Sequence, residues 1–320
     1  MILLLRGVKM KKIKIFSMLL LIPILLTGCF KDQNMEDITI YTTSYPIEYV
    51  TKRLYEDHST IKSVYPTGIH EGYKVSDKLL EDYSKGDLFI FNSLNEYYEL
   101  DEEGNLKLNN NIPTIVSEKT YAYKMLTKNK DLKIIDVSAS IDYDNSVYEL
   151  WLDPIKMLTV ANNIKKGFNE YTDTTYLVKE IDENYQTLKE ELLKLDADYR
   201  EVANRATHNT IVIADDLYKY LTKYDINVIS IVENDNLTQK TLINVDELIQ
   251  NGDIKYIYTT KGKPYSDTIN NILEEYADYG IEVIELDNLN IISEDDRKNN
   301  NDYFTIMYNN LDKIKEELYK

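Results

Sequence analysis

Short apolar runs alternate with segments of helical spacing along two long stretches of the chain. In the first stretch the strand-like runs are ITIYTTSYP, TIKSVYP and DLFIFNSL, separated by the helix-like segments PIEYVTKRLYED and SDKLLEDYSKG. In the second stretch the strand-like runs are TIVIAD, INVISIVE, IKYIYTT and IEVIELD, and a helix-like segment follows each of them. Strands that alternate with helices indicate βαβ units, so we expect a parallel sheet in each stretch.

Between the two stretches, a single apolar stripe predicts a long helix. Its positions are spaced alternately by four and three residues, which places them on one helical face. They are Ile181, Tyr185, Leu188, Leu192, Leu195, Tyr199, Val202 and Ala206. A helix from Val178 to Ala206 would be roughly 43 Å long at 1.5 Å per residue. A coiled coil is the alternative, but the flanking α/β segments favour a rigid strut between two lobes.

The predicted fold class is therefore α/β, with two α/β lobes that contain parallel sheets and are joined by one long rigid helix. We expect an N-terminal lobe over residues 38–173, a linker helix over 174–207 and a C-terminal lobe over 208–320. The polar segment Leu100–Asn111 should be a loop or an exposed hairpin. The cleft between the lobes is the expected binding site, since ligands commonly bind where two domains meet.

The first residues have the pattern of a secretory signal. The basic opening KKIK precedes the apolar run Ile15–Leu26, which is too short to span a bilayer comfortably but suits a signal peptide. The run leads into Leu-Thr-Gly-Cys, which resembles a bacterial lipobox, so Cys29 is the expected lipidation site. We expect residues 1–28 to be the signal peptide and 29–37 a tether. An uncleaved membrane anchor is the alternative.

Composition and charge argue against several classes of protein. The chain has 37 basic and 55 acidic residues, a net charge of −18, and lacks the basic stripe that nucleic-acid binding requires. Residues 1–28 hold five of the basic residues and no acidic one, so their removal would change the net charge to −23. Cys29 is the only cysteine, which leaves no disulfide framework and no thiolate metal site. An enzyme is not expected, because the three histidines lie in no nucleophile motif and the ten glycines form no phosphate-binding loop.

Side chains that can bind metals follow several of the predicted strands. His70 lies just past TIKSVYP, and Glu149 lies in the loop that leads into the next predicted helix. Asp215 and Asp216 come directly after TIVIA, and Asp287 ends IEVIELD. Ligands of open α/β sheets bind beyond the carboxyl ends of the strands, so these residues are candidates for one site. Each also has an ordinary alternative, since a strand-end aspartate often caps the next helix and a loop histidine is often merely exposed.

Seven segments in order along the chain carry a resemblance to a known family. They are YTTSYPIEYVTKRLYEDH, YPTGIHE, GDLFIFNSLNE, ELWLDP, ADDLYKYL, LDNLN and DYFTIMYNNL. They resemble the solute-binding lipoproteins of zinc and manganese ABC importers, the cluster A-I family. The resemblance implies two α/β lobes, one long rigid helix and a metal held between the lobes. It also implies an extracytoplasmic protein that delivers the metal to a membrane permease and ATPase.

The same resemblance implies a metal site of four residues: His70, Glu149, Asp215 and Asp287. His70 matches the first histidine of the family and Asp287 its aspartate. The family has histidine in place of Glu149, and histidine or glutamate in place of Asp215. The Tyr-x-Tyr-Leu register that follows favours Asp215, with Asp216 left open. The chain departs from the family in the spacing after His70 and in a polar first-lobe loop without the histidines of many zinc-specific members.

The expected ligand is a divalent transition metal, zinc or manganese, that is transported. One imidazole and three carboxylates supply more oxygen and less nitrogen than is usual for zinc, which favours harder ions such as manganese or ferrous iron. We expect a monomer, lipid-anchored to the outer face of the cell membrane. High Asn, Ile, Lys and Tyr usage suggests an AT-rich genome and fits a Gram-positive cell. The alternative is the same scaffold with a degenerate metal site, serving as an adhesin or binding another solute such as a siderophore or a corrinoid.

Overall fold

The computed structural model describes residues 35–65, 75–93, 98–100, 106–108, 118–139, 141, 150–290 and 292–320. Within these residues the chain forms two four-stranded sheets and one two-stranded sheet. The predicted fold of two α/β lobes with parallel sheets, joined by a long helix, is confirmed. In the part of the chain that is described, no helix is both long and apolar enough to cross a membrane.

The N-terminal lobe is built around a parallel sheet. Its strands are β1 (Ile38–Thr42), β2 (Ser59–Ser63), β3 (Leu88–Phe91), β4 (Tyr98–Leu100), β5 (Leu106–Leu108) and β6 (Lys133–Asp136). The sheet has the order β2-β1-β3-β6, and every neighbouring pair is parallel. All four residues of β3 are buried, as expected for an inner strand that is covered on both faces. The strands β4 and β5 pair antiparallel, which fits the hairpin alternative for this polar segment.

Local sequence explains where the helices of this lobe begin. They are α1 (Tyr45–Tyr55), α2 (Asp77–Tyr83), α3 (Glu118–Lys128) and α4 (Pro154–Tyr171). The Ser76 hydroxyl caps α2 by accepting the backbone N–H of Leu79 at 3.3 Å. The Asp153 carboxylate caps α4 by accepting the N–H of Ile155 at 2.9 Å. Pro154 follows in the first helical turn, where the N–H that proline lacks would have no helical partner.

The predicted linker helix is α5 (Thr175–Asn204), which is 30 residues long. Its buried residues are Leu177, Ile181, Tyr185, Leu188, Leu192, Leu195 and Tyr199. The predicted stripe is confirmed, because its residues up to Tyr199 are buried and Val202 and Ala206 are partly buried against the same core. The helix ends earlier than predicted, at Asn204, and Ala206 lies beyond the capping residue Arg205. The buried face of α5 belongs to one hydrophobic core that includes residues of both lobes.

The C-terminal lobe repeats the plan of the first. Its strands are β7 (Thr210–Ile213), β8 (Asn227–Ser230), β9 (Tyr256–Thr260) and β10 (Glu282–Leu286). Its helices are α6 (Gln239–Gln250), α7 (Asp267–Glu275), α8 (Glu294–Lys298) and α9 (Tyr303–Leu318). The sheet has the order β10-β9-β7-β8 and is parallel throughout. One predicted helix differs in type, because Asp216–Tyr224 forms a 3₁₀ helix that ends at the left-handed residue Asp225 (φ 62°).

Polar contacts join the two lobes beside α5. The Trp151 indole N–H donates to the carbonyl oxygen of Asn288 at 2.9 Å, and the Tyr303 hydroxyl donates to the carbonyl oxygen of Trp151 at 2.6 Å. The Arg297 guanidinium donates to both oxygens of the Glu48 carboxylate, at 3.1 and 3.2 Å. Trp151 and Glu48 lie in the N-terminal lobe and their partners in the C-terminal lobe. The loop that follows β10 is thereby held against the start of α4.

Candidate metal site

Three neighbouring strands of the C-terminal sheet end at the same edge. Asp287 directly follows β10, Lys261 directly follows β9, and Asp215 follows β7 after one residue. The strands lie in the order β10-β9-β7 and are parallel, so their carboxyl ends meet. The fold therefore places the predicted ligands Asp215 and Asp287 on either side of the loop that follows β9.

Asp215 is a buried carboxylate with both oxygens engaged. It is 9% exposed, and its Oδ1 accepts the backbone N–H of Leu217 at 3.2 Å, which caps the 3₁₀ helix that follows. Its Oδ2 accepts two side-chain donors, the Thr260 hydroxyl at 2.7 Å and the Lys263 ammonium at 2.9 Å. Asp215 thus has the helix-capping role that is common for a strand-end aspartate. Oδ2, which faces the loop after β9, is the oxygen that could bind a metal.

Asp287 has a similar arrangement at the end of β10. Its Oδ1 accepts the N–H of Leu289 at 2.8 Å, and its Oδ2 accepts the Lys261 ammonium at 3.1 Å. The buried Asn310 side chain bonds to both backbone groups of Asp287, at 2.9 and 2.7 Å, and so fixes the residue in place. Burial lowers the pKa of Lys261, but the hydrogen bond to Asp287 and its negative charge outweigh burial and raise it above the usual lysine value.

A hydrogen-bond network joins the ends of β7, β9 and β10. The Tyr218 hydroxyl donates to the carbonyl oxygen of Leu286 at 2.9 Å and lies 3.5 Å from the Thr260 hydroxyl. Thr260 in turn donates to Asp215. Tyr218 is buried, so its hydroxyl group needs a hydrogen-bond partner inside the protein. The carboxylate of Asp215 is therefore oriented by groups that also hold the end of β10.

Asp216, the alternative to Asp215, lies on the other side of β7. Its carboxylate accepts the Ser230 hydroxyl at 2.6 Å and pairs with Lys219 at 2.7 Å, and the Asn234 amide lies 3.4 Å away. Ser230 ends β8, the edge strand beyond β7. Asp215 rather than Asp216 therefore bonds to the loop beside Asp287, which supports the predicted register.

The carboxyl edge of the N-terminal sheet also carries polar side chains. Thr42, Thr43 and Ser44 lie at the end of β1, are at most 2% exposed, and their hydroxyl oxygens have no hydrogen-bond partner among the described residues. The next residue, Tyr45, begins α1, and the Arg297 guanidinium of the C-terminal lobe lies 5.7 Å from the centre of its ring. The end of β1 is thus close to the C-terminal lobe.

The segment Leu150–Asp153 connects the predicted ligand Glu149 to α4. Leu150, Trp151, Leu152 and Asp153 are all buried. The indole of Trp151 bonds to Asn288, the residue after Asp287. The carboxylate of Asp153 accepts N–H groups of the first turn of α4 and pairs with Lys223 of the C-terminal lobe. Asp153 therefore caps a helix and joins the lobes.

Two of the four predicted ligands, His70 and Glu149, lie outside the described residues, as does the predicted lipidation site Cys29. Among the residues that are described, no group of three or more His, Cys, Asp or Glu side chains is close enough to hold a metal ion. The described half of the predicted site therefore consists of Asp215 and Asp287. The complete set of four ligands stays a prediction.

Sequence reasoning missed two cationic residues at this edge, Lys261 and Lys263. They lie in TTKGKP, directly after the strand IKYIYTT. They follow the carboxyl end of a strand, as Asp215 and Asp287 do, so the same sequence signal identifies them. At this edge, each of the two aspartates accepts a hydrogen bond from a lysine ammonium group through its Oδ2. Oxygen atoms in such positions can hold a divalent cation once the lysines move away.

Comparison with known proteins finds relatives over most of the chain. It is 23% identical over 308 residues to the zinc-binding protein AdcA of Streptococcus pyogenes serotype M3, an overlap that covers 87% of this chain and 55% of AdcA. The chain thus spans about half the length of the curated relatives that it matches. The Zn(II)-bound ZnuA-like domain of Streptococcus pneumoniae AdcA has a TM-score of 0.64 and 20% identity, and the match covers 89% of this chain and 100% of that domain.

A second solved structure shows the same fold. The metal-dependent lipoprotein YcdH of Bacillus subtilis has a TM-score of 0.68 and 18% identity, and the match covers 89% of this chain and 100% of YcdH. At these identities the structural matches establish the fold alone. The sequence model of the family described as zinc-uptake complex component A periplasmic (ZnuA) matches residues 40–317, nearly the whole chain. The chain therefore belongs to the ZnuA family.

Proposed function

We propose that this protein captures a divalent transition metal, zinc or manganese, between its lobes and delivers it to the permease and ATPase of an ABC importer. The proposed ligands are His70, Glu149, Asp215 and Asp287. The observation that carries the proposal is the position of Asp215 and Asp287, two nearly buried carboxylates at one edge of a parallel sheet. Membership of the ZnuA family and the zinc-binding relatives support it.

The position of Trp151 supports the inclusion of Glu149. Trp151 is two residues from Glu149 in the sequence, and its indole bonds to Asn288, the neighbour of Asp287. Two residues of extended chain span at most about 7 Å. We therefore propose that Glu149 completes the site from the N-terminal lobe, together with His70, which follows β2 in the sequence. A metal bound in this way would have ligands from both lobes.

The proposed ligand set bears on the choice of metal. Three carboxylates and one imidazole favour harder divalent ions more than the nitrogen-rich sites of zinc proteins do. The relatives, by their names, bind zinc. Manganese and zinc are therefore both proposed as cargo, and titration of the protein with each ion separates them.

The lipobox supports a location outside the cytoplasmic membrane. We propose that residues 1–28 are a signal peptide, that Cys29 carries lipid, and that residues 29–37 tether the lobes to the outer face of the membrane. The likeness to the YcdH lipoprotein of Bacillus subtilis and to AdcA of streptococci supports a Gram-positive setting. Held there as a monomer, the protein would transfer its metal to a permease in the same membrane.

A metal titration tests the proposal. Purified protein is stripped of metal with a chelator and titrated with Zn²⁺ and Mn²⁺ against a competing indicator, and one ion per chain is expected. Asp215→Asn should weaken binding about ten- to a hundredfold, since a bond to a charged group contributes about 1.5–3 kcal/mol. Asparagine still caps a helix well, so the fold should be retained.

Asp216→Asn is the matched control, because Asp216 is the adjacent aspartate but bonds toward β8. It should leave metal affinity unchanged. Wild-type protein that binds neither ion would overturn the proposed function. Equal effects of Asp215→Asn and Asp216→Asn would remove Asp215 from the site.

A further inference from the structure

The loop after β9 is a tight turn that carries two lysines. The backbone N–H of Lys263 donates to the carbonyl oxygen of Thr260 at 3.1 Å, and Gly262 lies between the lysines with φ +75°. A left-handed residue at the third position of a four-residue turn is typical of a type II turn, which favours glycine there. A Cβ at Gly262 would meet no atom within 4 Å, so the backbone conformation and not crowding requires glycine.

The turn distributes the two lysines between two aspartates. Lys261 pairs with Asp287 beyond β10 at 3.1 Å, and Lys263 pairs with Asp215 beyond β7 at 2.9 Å. The strand order β10-β9-β7 places the loop between these carboxylates, so one lysine reaches each side. The turn Thr260–Lys263 therefore neutralises both described carboxylates of the proposed site.

The two pairs use the same atoms of each aspartate. In Asp215 and in Asp287, Oδ1 accepts the backbone N–H two residues further along the chain, at 3.2 and 2.8 Å. In both residues Oδ2 accepts the lysine. The oxygen that the backbone leaves available is thus the oxygen that the ammonium group occupies. A metal that binds these aspartates would have to replace the lysines.

We propose that Lys261 and Lys263 are displaceable internal counter-ions that occupy the aspartates of the unloaded site and lower its affinity for metal. This inference rests on the proposed function. A metal about 2.0–2.2 Å from Oδ2 and an ammonium group on the same oxygen would be two cations in close contact, which repel each other. Metal and lysine therefore exclude one another, and loading moves the side chains of the turn outward.

The exposure of the lysines makes such an exchange feasible. Their side chains are 54% and 52% exposed, whereas the aspartate side chains are 15% and 12% exposed. An ammonium group that is already half in water is released from its partner at little cost. From the usual strength of partly exposed ion pairs we expect each lysine to lower metal affinity about two- to fivefold. The two effects should roughly multiply, because each lysine pairs with a different aspartate.

The same mechanism predicts no change in metal preference. Zinc and manganese carry the same charge, and the lysines act through charge and by occupying an oxygen. Removal of a lysine should therefore raise the affinity for both ions by the same factor. A ligand change, by contrast, would alter the ratio of the two affinities.

The test compares Lys261→Gln, Lys263→Gln and the double variant with Lys255→Gln in the full chain. Lys255 precedes β9 and pairs with Glu282 at 3.1 Å, at the opposite end of the same two strands. The control therefore changes the net charge by as much as each single variant does, without touching the site. Affinities for Zn²⁺ and Mn²⁺ are measured by competition titration, and thermal unfolding without metal checks that each variant folds.

We expect each single variant to bind both ions about two- to fivefold more tightly, the double variant more tightly again, and Lys255→Gln as wild type does. The inference is overturned if the wild type binds metal and the folded lysine variants bind it equally well or more weakly. If the wild type binds no metal, the proposed function fails and the inference falls with it.

Discussion

Replacement of Asp153 by alanine tests whether this residue caps α4 rather than binding metal. The residue is 6% exposed, and its Oδ1 accepts the backbone N–H groups of Ile155 at 2.9 Å and of Lys156 at 3.4 Å. The same oxygen pairs with Lys223, which crosses from the C-terminal lobe and also pairs with Asp196 on α5 at 2.8 Å. Alanine therefore removes both the helix cap and the ion pair between Asp153 and Lys223.

The loss of stability caused by Asp153→Ala has two parts, the helix cap and the charged hydrogen bond to Lys223. Loss of a helix cap costs about 1 kcal/mol, with a range of roughly 0.5–2. Loss of a charged hydrogen bond costs about 1.5–3 kcal/mol, and we take the lower end because Lys223 keeps its contact with Asp196. Asp153→Ala should therefore destabilise the protein by about 2–3.5 kcal/mol. Asp153→Asn, which keeps a good cap, should cost about 1–2 kcal/mol.

Tryptophan fluorescence during urea unfolding is a direct assay. Trp151 is the only tryptophan and is buried between the lobes, so its emission reports the loss of this contact. Asp182→Ala is the control, because Asp182 on α5 forms a partly exposed ion pair with Lys165 on α4. This variant should change the free energy of unfolding by less than about 0.5 kcal/mol. An Asp153→Ala variant as stable as the control would refute the capping argument. A folded Asp153→Asn variant that loses metal would show that Asp153 belongs to the site.

Three further predictions concern acid stability, membrane attachment and metal choice. Burial would raise the pKa of Glu48, but hydrogen bonds from Arg297 and Lys52 lower it below its usual value, so its stabilising contribution is present above about pH 4.5 and is lost as the pH falls further. Acid unfolding curves of Glu48→Gln should therefore be shallower than wild type in this range, and identical curves would contradict the assignment. Cys29→Ser should release the chain or leave an unprocessed precursor, as cell fractionation would show, whereas normal processing and attachment would exclude lipidation there. Glu149→His should shift the affinity ratio toward zinc by about tenfold in competition titration, since imidazole favours zinc, and an unchanged ratio would remove Glu149 from the site.

The fold could be predicted because its signals are local. Alternating apolar runs and the stripe on α5 reflect the periods of strand and helix, which each segment carries in its own sequence. The type of the segment Asp216–Tyr224 could not be predicted, since nine residues of apolar spacing do not separate a 3₁₀ helix from an α-helix. The end of α5 was misplaced because small residues such as Ala206 fit a helix and a capping turn equally well.

The candidate site was predictable only in part, for a physical reason. Asp215 and Asp287 could be found because strand ends are visible in the sequence. Their pairing with Lys263 and Lys261 depends on the strand order β10-β9-β7, which inserts β9 between strands that precede and follow it in the chain. No local pattern reports that crossover. The bond from Trp151 to Asn288, 137 residues away, depends on how the lobes pack and was equally hidden.

Diffraction from crystals grown with Mn²⁺ or Zn²⁺, recorded at the absorption edge of the metal, tests the central claim most directly. The proposed function predicts one strong anomalous peak between the lobes, about 2.0–2.2 Å from Oδ2 of Asp215 and of Asp287, with Lys261 and Lys263 displaced from both. A peak elsewhere on the chain, or no peak while both lysines still bond to the two aspartates, would contradict it.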